Sequence, residues 1–425
     1  MHDILPADQV YFRNVERAVE SIAAYCGFEK IETPILEYTE IFQKAIGDNT
    51  DIIGKEMYTF RTKGGDLVSL RPEGTAPVMR SYLEHGMHNL PQPVKLWYLG
   101  PFFRHERPQA GRFRQFHQFG FEVIGDKSPS IDSQIIQMNY DILKEIGFKN
   151  LTIEVNSIGD SECRPYFKKI FVNYLKSRRA SLCLDCQRRL KENPLRILDC
   201  KEEKCQRVKV GAPQMLDHLC ESCHAHFKEV LEFLDELELP YTLNPHLVRG
   251  LDYYTKTVFE IIENSEEGKF VGSLVGGGRY DNLAKILGGR DFPACGSAGG
   301  IERIVELMKT IGLKPSSKKQ KTTAIKTQTP KIFLAQLGQL AKRKSMKLFE
   351  EFRKAKIPVA ESFSKDSLRS QLRTANKMGI KWVLIFGQKE ALENFITLRD
   401  METGNQEEIK LDKVVEEMKN KLKNL

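Results

Sequence analysis

Between Arg104 and Glu122 the chain reads RHERPQAGRFRQFHQFGFE, four arginines in a glycine-bearing stretch that runs into an alternating strand pattern. Guanidinium groups hold phosphate and carboxylate through paired N–H donors. A reaction that brings two anions together needs such fixed cations more than it needs a nucleophilic side chain. The second half of the stretch, taken as a strand, puts Gln118, Gly120 and Glu122 on one face and Phe119, Phe121 and Val123 on the other. One face is a core. The other is a shallow polar floor, where Gly120, lacking a Cβ, leaves room for something to lie against the backbone. His117 falls with the phenylalanines and reads as a packed residue. The upstream run VKLWYLGPFF (94–103) is strand-like and apolar, so residues 104–114 form the loop of an antiparallel hairpin too long for a tight turn. A long basic loop suits a bound anion and equally a solvated surface.

Four further segments bear on that choice: RPEGTA (71–76), RGLDYYTKTVFE (249–260), GGGRYDNL (276–283) and GGIERIVELM (299–308). The glycine run at 276–278 is not a phosphate loop, since no Lys-Ser/Thr pair follows it and no G-x-G-x-x-G is present. It reads as a strand that lets another backbone or a ligand approach. RPEGTA resembles the amino-acid-binding loop of class II aminoacyl-tRNA synthetases, and residues 103–125 resemble their motif 2 in its histidyl form. RGLDYYTKTVFE resembles the signature peptide of histidyl-tRNA synthetases, GGGRYDNL the glycine-rich strand that follows it, and GGIERIVELM motif 3. The resemblance to bacterial-type histidyl-tRNA synthetases runs from HDILPAD (2–8) to TLRDMETGNQEEI (397–409). The approach to motif 3, Ala294 to Gly300, departs from the pattern by being smaller, which puts the packing of the adenine pocket in question.

That resemblance implies an α+β fold: an antiparallel-sheet class II catalytic domain with a helical insertion, and a C-terminal α/β anticodon-binding domain. It implies ligation of L-histidine to histidine tRNA through a histidyl-adenylate, with ATP and Mg²⁺. Arg104 would hold the α-phosphate, Arg303 the γ-phosphate, and Arg249 both the α-phosphate and the substrate carboxylate; Arg112 would reach ATP. Glu73, with Gly74 and Thr75, would take the α-ammonium group. Glu122 and Tyr254 would each address an imidazole nitrogen, with Gln118 and Tyr253 completing the pocket. The helix and strand near the N-terminus, with Val15, Val19, Ile22 and Ala23 on one stripe followed by FEKIETPILEY, would form motif 1 at a homodimer interface.

Composition is compatible with this. The chain has 425 residues, 41% hydrophobic and 29% charged, enough for two or three cores. Its N-terminus is charged and amphipathic and no apolar run is long enough for a bilayer, so a cytoplasmic protein with no membrane partner is expected. Residues 331–425 hold 20 lysines and arginines against 13 acids, and residues 312–330 add five lysines without an acid. Against a net charge of +8, this leaves the first 311 residues mildly acidic. A basic C-terminal module on an acidic body suits a polyanionic partner such as RNA.

Pattern changes divide the chain into a catalytic domain of residues 1–160 and 242–312, a helical insertion of 161–241, a linker of 313–330 and an α/β domain of 331–425. In the insertion, CLDC (183–186) and CESC (220–223) make two C-x2-C pairs with Cys200 and Cys205 between them. Cys183, Cys186, Cys220 and Cys223 are candidates for one structural zinc site; the same spacing also suits thiols packed between helices. A catalytically silent relative, such as the regulatory subunit of ATP phosphoribosyltransferase, is the alternative from another function class. Such paralogues generally lack the anticodon-binding domain and degrade the Arg249 peptide, and this chain keeps both.

Overall fold

A computed structural model describes residues 3–47, 50–106, 111–264, 272–315 and 330–423. Within it the chain forms two compact units, one built chiefly from residues 29–230 and 240–315 and the other chiefly from residues 330–423. The tip of the arginine hairpin, residues 107–110, and most of the expected linker, residues 316–329, lie outside the described residues.

The first unit is organised by an eight-stranded sheet in the order Glu29–Lys30, Val94–Phe103, Gln115–Ile124, Ala294–Gly300, Val275–Arg279, Thr255–Glu263, Leu151–Ser157, Tyr241–Leu243. The six inner strands run antiparallel, and each short edge strand is parallel to its neighbour. Phe119, Phe121 and Val123 are fully buried as expected, but the opposite face is not an open floor along its length, since Gly120, Glu122 and Ile124 are buried too. Helix Pro129–Ile146 packs on the sheet against strands Ala294–Gly300, Val275–Arg279 and Thr255–Glu263. It carries Asp132, whose carboxylate accepts from the buried Arg279 guanidinium at 2.9 Å and lies 3.0 Å from His226 Nε2. Burial works against that carboxylate, but Arg279 and His226 hold it well below the usual carboxylate range. Another core joins helices Thr39–Ile46 and Thr75–Glu84 to Tyr98, Tyr253, Tyr254 and Tyr280.

The segment FEKIETPILEY does not make one strand. Glu29–Lys30 pairs with the large sheet, whereas Leu36–Tyr38 joins a separate three-stranded sheet with Leu67–Leu70 and Thr59–Arg61. Pro34 lies between the two pieces, and its missing N–H and the restraint it places on Thr33 suit a break in pairing.

Helices Arg164–Lys176, Leu184–Glu192, Glu203–Val210 and Glu221–Glu236 occupy the stretch expected to be a helical insertion. Its small core brings Phe167, Phe171, Leu175 and Ile197 together with five buried cysteines. The C-terminal unit has a five-stranded sheet in the order Val359–Glu361, Ile332–Gln336, Trp382–Phe386, Phe395–Asp400, Gln406–Lys410. The first three strands are parallel and the last two antiparallel. The final strand is absent from the sequence-based reading because QEEIK has four polar residues in five; only Ile409 is buried. No described helix is long and apolar enough to cross a membrane.

Candidate active site

The chemistry-bearing segments meet at one open cavity of about 860 Å³ on the large sheet. The RPEGTA loop reaches it immediately before helix Thr75–Glu84. Glu73 caps that helix, its Oε2 accepting the Thr75 backbone N–H at 2.7 Å and its Oε1 that of Ala76 at 2.9 Å, while the Tyr253 hydroxyl donates to Oε2 at 3.4 Å. Burial raises the Glu73 carboxyl above its ordinary value, and the two N–H donors oppose that rise.

Arg104 leaves the first strand of the hairpin with its Nε donating to Pro72 O at 2.8 Å, and the hairpin is closed there by Arg104 N–H to Arg114 O at 2.9 Å. Its guanidinium lies 5.5 Å above the Phe116 ring. Arg112 is 3.3 Å from Glu106 and remains partly exposed. Arg303 stands in the first turn of helix Ile301–Thr310, donates to Ser273 O at 3.0 Å and packs under Gly111. Burial first, and then the charge of Arg112, push the Arg303 guanidinium below its usual value. An anion between them would relieve that mutual repulsion.

Arg249 is held by an ion pair with Glu260, and its Nε is buried with no hydrogen-bond partner among the described residues. Its guanidinium lies across Gly276, where any Cβ would overlap it. The glycine run therefore does admit close approach: Gly276 admits Arg249, and Gly277 admits the backbone of Gly296 and Ser297 from the next strand. Tyr254 lies under Arg249 at 5.8 Å, with Tyr253 4.8 Å from Tyr254.

Gln118 lines the cavity with Oε1 buried and unpartnered among the described residues. The room left by Gly120 is filled by protein: Tyr98, directly opposite it in the pairing register, covers both Gly120 and Gly74. Glu122 is fully buried and does not line the cavity. Its Oε1 accepts from Thr75 Oγ1 at 2.8 Å and its Oε2 from the Tyr280 hydroxyl. Burial pushes the Glu122 carboxyl up to about 8, against the pull of the hydrogen bonds from Tyr280 and Thr75. The small residues before Arg303 also have a packing reason: a Cβ at Gly296 would overlap the Glu122 carboxylate, and one at Gly299 would overlap the Phe119 ring. His117 is packed against Phe12 and lies 2.8 Å from Glu302, a cavity-lining carboxylate that also accepts the His117 backbone N–H.

Arg104, Arg112, Arg249 and Arg303 thus share one cavity with Glu73, Gly74, Thr75, Gln118, Tyr253 and Tyr254. The cysteines converge differently from the sequence expectation. Cys183 and Cys186 meet Cys200 and Cys205, while Cys220 and Cys223 meet Asp160 and Cys163. The single site of two C-x2-C pairs is replaced by two clusters, because each pair is completed by its neighbours in the fold. Sequence reasoning missed Tyr98, Tyr280, Glu260 and Glu302. Only Tyr98 carried a usable signal, since in a hairpin register an aromatic opposite a glycine tends to cover it.

Residues 1–159 and 193–304 match the family described as histidyl-tRNA synthetase, and residues 331–421 match an anticodon-binding domain. The histidine–tRNA ligase of Dehalococcoides mccartyi is 44% identical over 420 residues, 99% of this chain and 98% of that protein. The chain belongs to the histidyl-tRNA synthetase family. The histidine–tRNA ligase of Syntrophotalea carbinolica is 43% identical over 97% of this chain and 95% of its own length. The crystal structure of apo S. aureus histidyl-tRNA synthetase matches with a TM-score of 0.61 at 34% identity, covering 99% of this chain and 98% of that one. A Bacillus halodurans structure described as an ATP phosphoribosyltransferase regulatory subunit/histidyl-tRNA synthetase shares the fold, at 20% identity and a TM-score of 0.53. The histidyl-tRNA synthetase match skips residues 160–192, which hold Asp160, Cys163, Cys183 and Cys186 from the two clusters.

Proposed function

We propose that this chain ligates L-histidine to histidine tRNA in two steps within the arginine-lined cavity. In the first, a carboxylate oxygen of histidine attacks the α-phosphorus of ATP; the new P–O bond forms as the bond to the bridging oxygen breaks and pyrophosphate leaves. In the second, a hydroxyl of the tRNA's terminal ribose attacks the activated carbonyl carbon and AMP leaves. ATP enters as its magnesium complex, in which phosphate oxygens and water supply most of the metal's ligands.

The observation that carries this reading is the convergence of four arginines from three separate segments on one cavity that also presents a carboxylate and an amide oxygen unpaired among the described residues. Arg104 would hold the α-phosphate and Arg303, with Arg112, the distal phosphates. Arg249 would bridge the α-phosphate and the histidine carboxylate, because its unpartnered Nε leaves a donor for an anion while Glu260 fixes the opposite side. Glu73 and Gln118 are the acceptors for the α-ammonium group. Tyr254 and Tyr253 would face the imidazole, with Glu122 reading it from behind through the hydroxyls of Thr75 and Tyr280. The catalytic parts would come from residues 1–160 and 242–312, with 161–241 inserted, 313–330 as linker and 331–425 reading the tRNA. A zinc ion in the insertion has no step in this chemistry.

A homodimer fits the three-stranded sheet, where Leu36, Tyr38 and Phe60 are 48%, 60% and 45% exposed and lie on one face around Val68. An apolar patch of this kind on a surface sheet suits a second copy of the chain. A protein that charges tRNA works where translation occurs, which places it in the cytoplasm.

The silent regulatory relative remains the competing reading, and the retained Arg249 peptide and anticodon-binding match favour the ligase. A charging assay separates them. With ATP, Mg²⁺ and histidine tRNA, the purified chain should attach labelled histidine and none of the other amino acids. Histidine binding without any charged tRNA would support the regulatory reading instead.

A further inference from the structure

The insertion holds two groups of metal-ligating side chains that the aminoacylation chemistry does not use. In the first, the sulfurs of Cys183, Cys186, Cys200 and Cys205 all lie within 4.8 Å of one another, and Cys183 Sγ is 3.9 Å from Cys200 Sγ. In the second, Asp160 and the sulfurs of Cys163, Cys220 and Cys223 converge within the same limit. A tetrahedral zinc with Zn–S bonds of about 2.3 Å has ligand atoms about 3.8 Å apart, so each group has the dimensions of one ion with four ligands. Clusters of two or four irons would need their thiolates further apart. All nine cysteines are free thiols.

Packing alone would also bury cysteines, but it does not account for their surroundings. Backbone N–H groups point at the sulfurs: Cys183 N–H to Cys205 Sγ at 3.2 Å, Cys186 N–H to Cys183 Sγ at 3.4 Å, and Asp160 N–H to Cys163 Sγ at 3.4 Å. Such donors stabilise thiolates in a metal site. Each group also has a cation beside it, buried at the first and partly buried at the second. Lys209 is 4% exposed and its ammonium donates to the carbonyls of Leu198 at 2.7 Å and Cys200 at 2.9 Å; among the described residues no carboxylate forms an ion pair with it. Arg164, next to Cys163, spends its guanidinium on the carbonyls of Ile158 and Tyr254, again without an ion pair among the described residues. A buried cation without a counter-charge is costly. Four thiolates, or three thiolates and a carboxylate, around Zn²⁺ carry a net charge of −2, which would supply a counter-charge beside Lys209 and add to the acidic groups already near Arg164.

We propose that the helical insertion is organised by two zinc centres, one held by Cys183, Cys186, Cys200 and Cys205 and the other by Asp160, Cys163, Cys220 and Cys223. Their position gives them a structural duty toward the active-site peptide. Arg164 beside the second centre grips the carbonyl of Tyr254, and Arg196, four residues before Cys200, donates to the carbonyl of Arg249 at 3.1 Å. The two centres therefore fix the residues that hold both ends of the segment from Arg249 to Tyr254. Only this last consequence rests on the proposed ligase activity; the metal content does not.

The test is metal analysis of the full-length chain purified under reducing conditions without chelator. It should contain two zinc ions per chain, falling to one in Cys200→Ser and to one in Cys220→Ser. X-ray absorption at the zinc edge of the unaltered protein, which needs no variant to fold, should give a sulfur shell at about 2.3 Å with one oxygen for every seven sulfurs. One zinc per chain with a pure sulfur shell would overturn the Asp160 centre. Iron in place of zinc would overturn the ion assigned. Less than about a tenth of an ion per chain, with all nine thiols reacting freely after unfolding in chelator-free buffer, would overturn the proposal as a whole.

Discussion

The Arg249 guanidinium occupies the space in which a side chain at Gly276 would begin, with Glu260 on the same strand pair fixing its direction. Gly276→Ala should therefore displace Arg249 without removing it. Adenylate formation should fall by roughly tenfold to a hundredfold, the cost of misplacing a charge that acts on the transition state, while the fold is retained. Adenylation at the normal rate by the folded variant would show that this contact does not set the position of Arg249.

Glu122 gives a dependence on pH. Its carboxyl is pushed up to about 8 in the folded chain, against an ordinary value of 4.5. The folded state therefore holds a proton that the unfolded state has lost between those values. Its contribution to stability is fully present below about pH 4.5 and is lost as pH rises through about 8, with a limiting slope of about 1.4 kcal/mol per pH unit. Glu122→Gln does not titrate and should flatten this part of the curve. Denaturant midpoints measured from pH 4.5 to 8.5 in both proteins check it, and parallel curves would rule out a raised Glu122.

Above about pH 8, where the Glu122 carboxylate is ionised and accepts through both oxygens, the same substitution turns the oxygen toward Thr75 or Tyr280 into an NH₂ donor. The KM for histidine should rise by about tenfold or more, the cost of one mispaired buried group, and that for ATP much less. Equal losses for the two substrates would detach Glu122 from the histidine side of the cavity.

Gln118→Leu keeps the bulk of the side chain and removes the buried, unpartnered Oε1 that faces the cavity. Because that oxygen is assigned to the α-ammonium group, the variant should bind histidine about tenfold more weakly and bind ATP unchanged. Isothermal titration with each ligand alone decides this; unchanged histidine affinity would leave Gln118 without the assigned contact.

Much of this site was legible because strands impose strict alternation. Once residues 115–124 pair as a strand, Gln118 and Glu122 must share a face and Phe119 and Phe121 must share the other. The convergence of Arg104, Arg249 and Arg303 was legible only through family resemblance, since they come from segments up to about 200 residues apart and no local pattern connects them. What stayed hidden depended on contacts across strands. Tyr98 fills the space over Gly120 through its register, Tyr280 takes one oxygen of Glu122, and the cysteine pairs find Cys200 and Cys205 or Asp160 and Cys163 through the folding of four helices. Strand Gln406–Lys410 was missed because an edge strand can form a ladder through its backbone while most of its side chains stay polar.

The basic C-terminal unit contains none of the residues placed at the cavity. A chain ending near Gly312 should form histidyl-adenylate, provided that sizing shows the dimer intact, yet charge tRNA poorly. The tRNA affinity of the full chain should fall steeply with added salt as phosphate contacts are screened and counterions are no longer released to advantage. Normal charging by the dimeric truncated chain would remove residues 331–425 from tRNA recognition.

Fixed arginine charge, with Arg249 at its centre, is what activates histidine with ATP in the proposed reaction. Histidine-dependent exchange of labelled pyrophosphate into ATP tests it most directly, measured in the intact chain and in Arg249→Ala. The intact chain should exchange only when histidine is present, and the variant should lose about 10²-fold or more of that rate while its KM for histidine changes far less. Near-normal exchange by Arg249→Ala, or exchange that does not require histidine, would contradict the account.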